Sequence, residues 1–165
     1  MTKDLDHFMV LSRVLVGRED LDRSDGARYF QTLCAGAADM GFSRADLDRV
    51  LLASARATGK KLEKMVAAWM KKQSGAESII AKSILSLWYC AGLIDLKRGP
   101  GYLIRAAPRE SFGRALIWEA VGGHAMGSPG RYFGNWAYPP GRSIAPPPPR
   151  PKGYKPRPKH GLEDE

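Results

Sequence analysis

Apolar residues recur at helical spacing through most of this chain and then lose all periodicity. Leu5, Phe8, Met9, Leu11, Leu15 and Val16 form one broad face, which predicts a helix over 3–16 with Thr2 as its N-cap and Gly17 as its stop. A second helix is predicted from Asp22, whose carboxylate suits a cap, with Asp25 in the first turn. Its buried side would hold Ala27, Phe30, Leu33 and Cys34, and Gly36 would end it. Ser43 and Asp46 imitate a capping box, and Phe42 is placed to staple onto Leu47 across the cap. Leu47, Val50, Leu51 and Ala55 then continue a third helix toward Gly59.

"KKLEKMVAAWMKKQ" gathers Leu62, Met65, Val66 and Trp69 on one side and lysines around the rest. The lysines read as a solvated face, with a membrane surface or an acidic partner as the sharper alternative. Ser74 and Glu77 then spell another capping box, S-x-x-E, before "SIIAKSILSLWYCAGLI". Ile80, Ile84, Leu87 and Ala91 make a stripe that Ile79, Trp88 and Leu93 widen nearly all round, so this is the predicted central helix. Trp88 and Tyr89 near its end read first as core, with partner contact as a second role, and Tyr89 needs a partner for its hydroxyl. Gly99-Pro100-Gly101 breaks the pattern, and a short strand is expected over 102–105. Ser111 is expected to open a last helix, with Phe112, Leu116, Ile117 and Val121 apolar, Trp118 beside them, and Gly122-Gly123 as its end.

Beyond that point the sequence changes character. "SPGRYFGNWAYPPG" (128–141) places Tyr132, Phe133, Trp136 and Tyr138 among Pro129, Pro139, Pro140 and glycines that include Gly130. Proline lacks the amide donor and glycine costs backbone entropy, so no regular helix forms there, yet the segment is too aromatic for a solvated linker. Aromatic side chains bury large areas at modest entropy cost and dominate protein–protein contacts. From Ile144 the chain reads "APPPPRPKGYKPRPKHGLEDE", a basic polyproline tail. The expected fold is therefore all-α: a compact domain of about five or six helices over 1–123, an irregular aromatic Gly/Pro arm over 124–141, and a proline-rich basic tail over 142–165.

Charge and composition narrow the functional classes only in part. The net charge is +9, of which the segment 142–165 supplies +3. Such an excess permits nucleic acid, anionic lipid or an acidic protein as partner and selects none of them. Basic residues alternate with acids through the helices and no recognition-helix or aromatic-sheet signature appears, so nucleic acid is not the expected partner. No apolar run approaches the length of a membrane span. "MTKDLDHFMVLSRVLVG" carries Asp4 and Asp6 and no twin-arginine pair, so it does not read as an export signal. Cys34 and Cys90 read as buried free thiols, with an intramolecular disulfide or a bridge to a partner as alternatives. His7, His124 and His160 are scattered, so no metal site is expected, and His124 reads as a loop histidine before it reads as an acid or base. Nucleotide, phosphate, nucleophile-elbow and zinc-protease motifs are missing, and the carboxylates fall mainly at helix starts. No catalytic set is expected.

Four segments in order carry a resemblance. "LDHFMVLSRVLVGREDLDRSDGARYFQTL" (5–33), "ILSLWYCAGLI" (84–94), "SFGRALIWEAVG" (111–122) and "SPGRYFGNWAYPPG" (128–141) resemble the small, or gamma, subunits of membrane-bound FAD-dependent sugar and polyol dehydrogenases, the sorbitol, fructose, glucose and gluconate enzymes. The resemblance implies a non-catalytic, chaperone-like subunit that binds no cofactor itself. It would stabilise a large catalytic subunit of the glucose-methanol-choline (GMC) type, which holds FAD, and assist its maturation and export. A multihaem cytochrome c would pass electrons on to quinone. It also implies a bacterial protein on the periplasmic side of the inner membrane. The missing twin-arginine pair leaves three options: a trimmed start, a signal on the partner, or a cytoplasmic complex. Where some relatives carry a bridging Cys before the Pro-Gly stretch, this chain has His124-Ala125-Met126, so that bridge is not expected. The expected partner-binding residues are Trp88, Tyr89, Trp118, Pro129 and Gly130, with Tyr132, Phe133, Trp136, Tyr138, Pro139 and Pro140 along the arm. The alternative is a stand-alone basic helical protein whose partner is nucleic acid or another acidic molecule.

Overall fold

The computed structural model describes residues 2–95 and 102–121. Five long helices carry it: α1 (Thr2–Val16), α2 (Arg23–Ala35), α4 (Arg44–Arg56), α5 (Lys60–Lys71) and α6 (Ala76–Cys90). Three shorter helical segments, α3 (Ala37–Met40), α7 (Arg109–Phe112) and α8 (Leu116–Ala120), and two strands, β1 (Gly92–Ile94) and β2 (Leu103–Ala106), complete the described residues. The all-α class holds, with the strand expected over 102–105 present one residue later as half of a ribbon. The arm over 124–141 and the tail over 142–165 lie outside the described residues.

The helix ends follow local chemistry for α1, α2 and α4. Gly17, at φ +74°, closes α1 with its amide on the Arg13 carbonyl at 2.8 Å. The helix itself begins at Thr2, so Thr2 is inside it and not its cap. Asp22 caps α2 by accepting from the Asp25 amide at 2.8 Å. At α4 the capping box is complete: Ser43 Oγ accepts from the Asp46 amide, and the Asp46 carboxylate accepts from the Ser43 amide at 2.9 Å. Phe42 and Leu47, on either side of that cap, are both buried in the core.

Two further expectations fail. Ser74 does not cap α6; Gly75 is the N-cap at φ +109° with no side-chain hydrogen bond, and Glu77 instead lies 3.9 Å from Lys72. Just ahead of α6, the Lys72 carbonyl is taken by Ser78 Oγ at 2.8 Å and Lys82 Nζ at 3.0 Å, so α6 side chains reach back over the 72–75 turn. The single helix expected from Ser111 is two short ones, with Pro108 as the N-cap of α7 and a turn over 113–115 between them. Ser111 in α7 and Ala115 at the start of α8 are both buried, while Gly113 and Arg114 of the turn between them are exposed.

α6 is the centre of the domain, packed against α1, α2, α4, α5 and α8. Ile80, Ile84 and Leu87 of the expected stripe have no measurable exposure, whereas the helix stops at Cys90, so Ala91 is its C-cap and Leu93 is buried from β1 instead of widening the helix. After α6, Ala91 adopts the left-handed conformation (φ 50°) and turns the chain into β1. β1 pairs antiparallel with β2, Gly92 opposite Ala106 and Leu93 opposite Arg105, with an irregularity after Leu93. Gly92 is required there, because a Cβ would sit 2.5 Å from Leu103 Cδ1 and 3.2 Å from the Arg105 carbonyl. The Ala107 amide then bonds the Ala91 carbonyl at 2.8 Å, which fixes where the chain leaves the ribbon for α7 and α8.

Candidate functional site

The last described segment, 107–121, is held to the bundle by one buried carboxylate. Asp25, 3% exposed in the first turn of α2, receives Arg28 at 2.9 Å and Arg114 at 2.8 Å. Ser111 Oγ stands 3.5 Å from the same oxygen. A buried carboxylate is tolerable only when its charge is met in this way. Next to it, the Tyr29 hydroxyl bonds the Ser111 carbonyl at 3.4 Å. Burial pushes the Tyr29 phenol up to about 12, and the Asp25 charge adds to the rise. On the other side Arg18, just past α1, bridges Asp20 and Glu119 of α8, and these two hydrogen bonds hold its guanidinium strongly in the charged form.

These contacts set an aromatic pair at the edge of the core, Phe112 exposed and Trp118 half-buried. Phe112 is 40% exposed, and Trp118 stacks on it edge-to-face with centroids 5.2 Å apart. The Trp118 indole N–H donates to the Phe112 carbonyl at 2.8 Å, which pins the ring relative to the backbone. Val121, 64% exposed, is the last described residue.

The expected site residues therefore separate. Trp118 lies at this edge, half-buried. Trp88 is 4% exposed and packs edge-on against Tyr29 at 4.9 Å, so its place is in the core and its ring is not offered at the surface. Its indole N–H is buried without a hydrogen-bond partner. Tyr89 is half-buried at the end of α6. Pro129, Gly130, Tyr132, Phe133, Trp136, Tyr138, Pro139 and Pro140 lie outside the described residues. Phe112 was not singled out as a contact residue from sequence; its exposure depends on the break between α7 and α8, which no local pattern announced.

Elsewhere polar groups are mainly committed to one another. A groove of about 430 Å³ is lined by Asp4, Phe30, Gln31, Cys34, Ala35 and Arg44. Its guanidinium is already held by Asp48 at 2.8 Å and Asp4 at 3.1 Å, donates to Cys34 Sγ at 3.2 Å, and sits 5.6 Å above the Phe30 ring. Cys34 and Cys90 are free thiols, half-buried, and burial pushes both upward. Among the described residues no cluster of His, Cys, Asp and Glu could hold a metal ion, and no helix is long and apolar enough to cross a membrane.

Fold and site thus define an all-α domain with an aromatic pair, Phe112 and Trp118, near the end of its described residues. Residues 1–99 of the 165 match the family described as membrane bound FAD containing D-sorbitol dehydrogenase, and the chain belongs to that family. The matched span holds the segments at 5–33 and 84–94; the later two, 111–122 and 128–141, lie beyond it. No curated protein and no solved structure matches the chain.

Proposed function

We propose that this chain is the non-catalytic small subunit of a membrane-associated FAD-dependent sugar or polyol dehydrogenase. It would stabilise a GMC-type catalytic subunit, assist its maturation and export to the periplasmic side, and bind no flavin itself. A cytochrome c subunit would then carry electrons toward quinone. The observation that carries this reading is the family match over 1–99. Two features support it. The bundle's carboxylates are largely engaged in caps and ion pairs that hold its own helices. The Phe112–Trp118 pair precedes, in sequence, a stretch rich in aromatic residues.

In this reading Trp118, with Tyr132, Phe133, Trp136 and Tyr138 of the arm, clasps the flavoprotein, and Pro139-Pro140 keeps the path extended. The test is co-expression of the tagged chain with its flavoprotein, followed by pull-down and flavin absorbance of the eluate. The wild-type chain should bring down bound FAD in the partner. Trp136→Ala should weaken association roughly 30-fold, about 2 kcal/mol at a contact hot spot. If the chain purifies as a stable lone monomer and Trp136→Ala changes only its melting, the stand-alone alternative replaces the clasp.

A further inference from the structure

We propose that the exposed lysine row of α5 docks on an anionic lipid surface. Leu62, Val66 and Trp69 are buried and fix how the helix is turned. At about 100° per residue, Lys60, Lys64 and Lys71 then fall within about 40° of one another on the opposite side, spread along about 16 Å of helix. Exposed Ala67 and Ala68 lie between them, too small to hold a flat surface away from the ammonium groups. Lys61 flanks the row, and Glu63 is the one acid in the helix.

Pairing separates this row from most of the bundle's arginines. Arg18, Arg23, Arg44 and Arg114 each have a carboxylate partner, whereas none of Lys60, Lys61, Lys64 and Lys71 is paired among the described residues. The apolar side of α5 is used by the core, so the helix does not insert. It can only lie on a surface, by electrostatic attraction. A straight one-sided row complements a planar negative surface, and long lysine stems let each ammonium reach a headgroup phosphate. α5 falls inside the span matched to a family described as membrane bound. The inference rests on that membrane association and adds a contact separate from the aromatic clasp.

The test uses the full-length chain and sedimentation with vesicles of phosphatidylcholine alone or with one-third phosphatidylglycerol (by order of magnitude, a strongly anionic surface). The wild-type chain should partition onto the anionic vesicles only, and less as salt rises. Each lysine near such a surface changes partition about fivefold, so K60Q/K64Q/K71Q should weaken it roughly 100-fold. Glu63→Lys changes the local charge by two and should tighten it by up to roughly 25-fold, with the thermal midpoint of the variant showing that it stays folded. K152Q/K155Q/K159Q, in the basic tail, should leave most of the binding in place. The proposal is overturned if the α5 triple variant binds like wild type, or if wild type ignores anionic vesicles. It is also overturned if that variant sheds the flavoprotein while vesicle binding persists, which would assign the row to an acidic protein face. Loss of vesicle binding with the flavoprotein still retained leaves the small-subunit reading intact.

Discussion

On the side of the bundle built from α1, α2 and α4, guanidinium groups are tied down: Arg44 joins Asp4 to Asp48 and Arg23 holds Asp6. Along α5, four lysines stand in twelve residues with no carboxylate partner among the described residues. Both regions are positive, yet only the first uses its charge to relate one element to another. Arginine's planar fork can hold two carboxylates at once, as Arg44 does, while lysine is a hydrated point charge on a flexible stem. Charge committed inside the molecule orients helices; charge left outside is available to something else. The two faces should therefore respond differently to substitution.

The largest effect is expected where the internal use of charge is also buried. Asp25→Ala removes the acceptor shared by Arg28 and Arg114 and leaves polar groups at the α2–α7 junction unmet. About 2 kcal/mol should be lost in chemical denaturation, the range for hydrogen bonds to a charged acceptor, because the guanidiniums left behind are 35% and 48% exposed and stay in contact with water. A loss below about 1 kcal/mol would place Asp25 with the exposed pairs, which contribute little, and would dissolve the contrast between the faces.

A smaller effect separates two helix starts that look alike in sequence. Ser43→Ala removes a formed cap and should cost about 1 kcal/mol, whereas Ser74→Ala should change stability by less than about 0.3 kcal/mol. Thermal midpoints of the two variants, measured side by side, decide it. The pair also shows what sequence could and could not reveal. The box at Ser43 and Asp46 is made of neighbours and was legible; so were the cap at Asp22, the stop at Gly17 and the buried stripe of α6. At Ser74 and Glu77 the same spelling fails because Ser78 and Lys82 reach back to the Lys72 carbonyl and the turn settles on Gly75. The candidate site was legible in part for the same reason. Trp118 could be noticed as an aromatic in a late apolar segment. Phe112 could not be singled out, because its exposure follows from Arg114 meeting Asp25 and Glu119 meeting Arg18, contacts between residues far apart in sequence.

The smallest effect is the most discriminating for α5. Lys60 and Lys61 occupy its first turn, where the helix dipole disfavours cations, and Gly59 supplies no side-chain cap. Lys60 and Lys64 also stand one turn apart, a like-charge spacing that costs a few tenths of a kcal/mol. Lys71, in the last turn, is favoured by the same dipole, so the triple substitution K60Q/K64Q/K71Q should leave stability within about 0.5 kcal/mol of wild type. The wild-type thermal midpoint should rise slightly with added salt, and that rise should shrink in the variant, because salt screens the repulsion the variant lacks. A loss of more than about 1 kcal/mol would mean that the lysines hold the bundle after all, as the arginines do on the other side. A change within about 0.5 kcal/mol instead marks the row as one the bundle does not need for its own stability, which fits a use outside the folded chain.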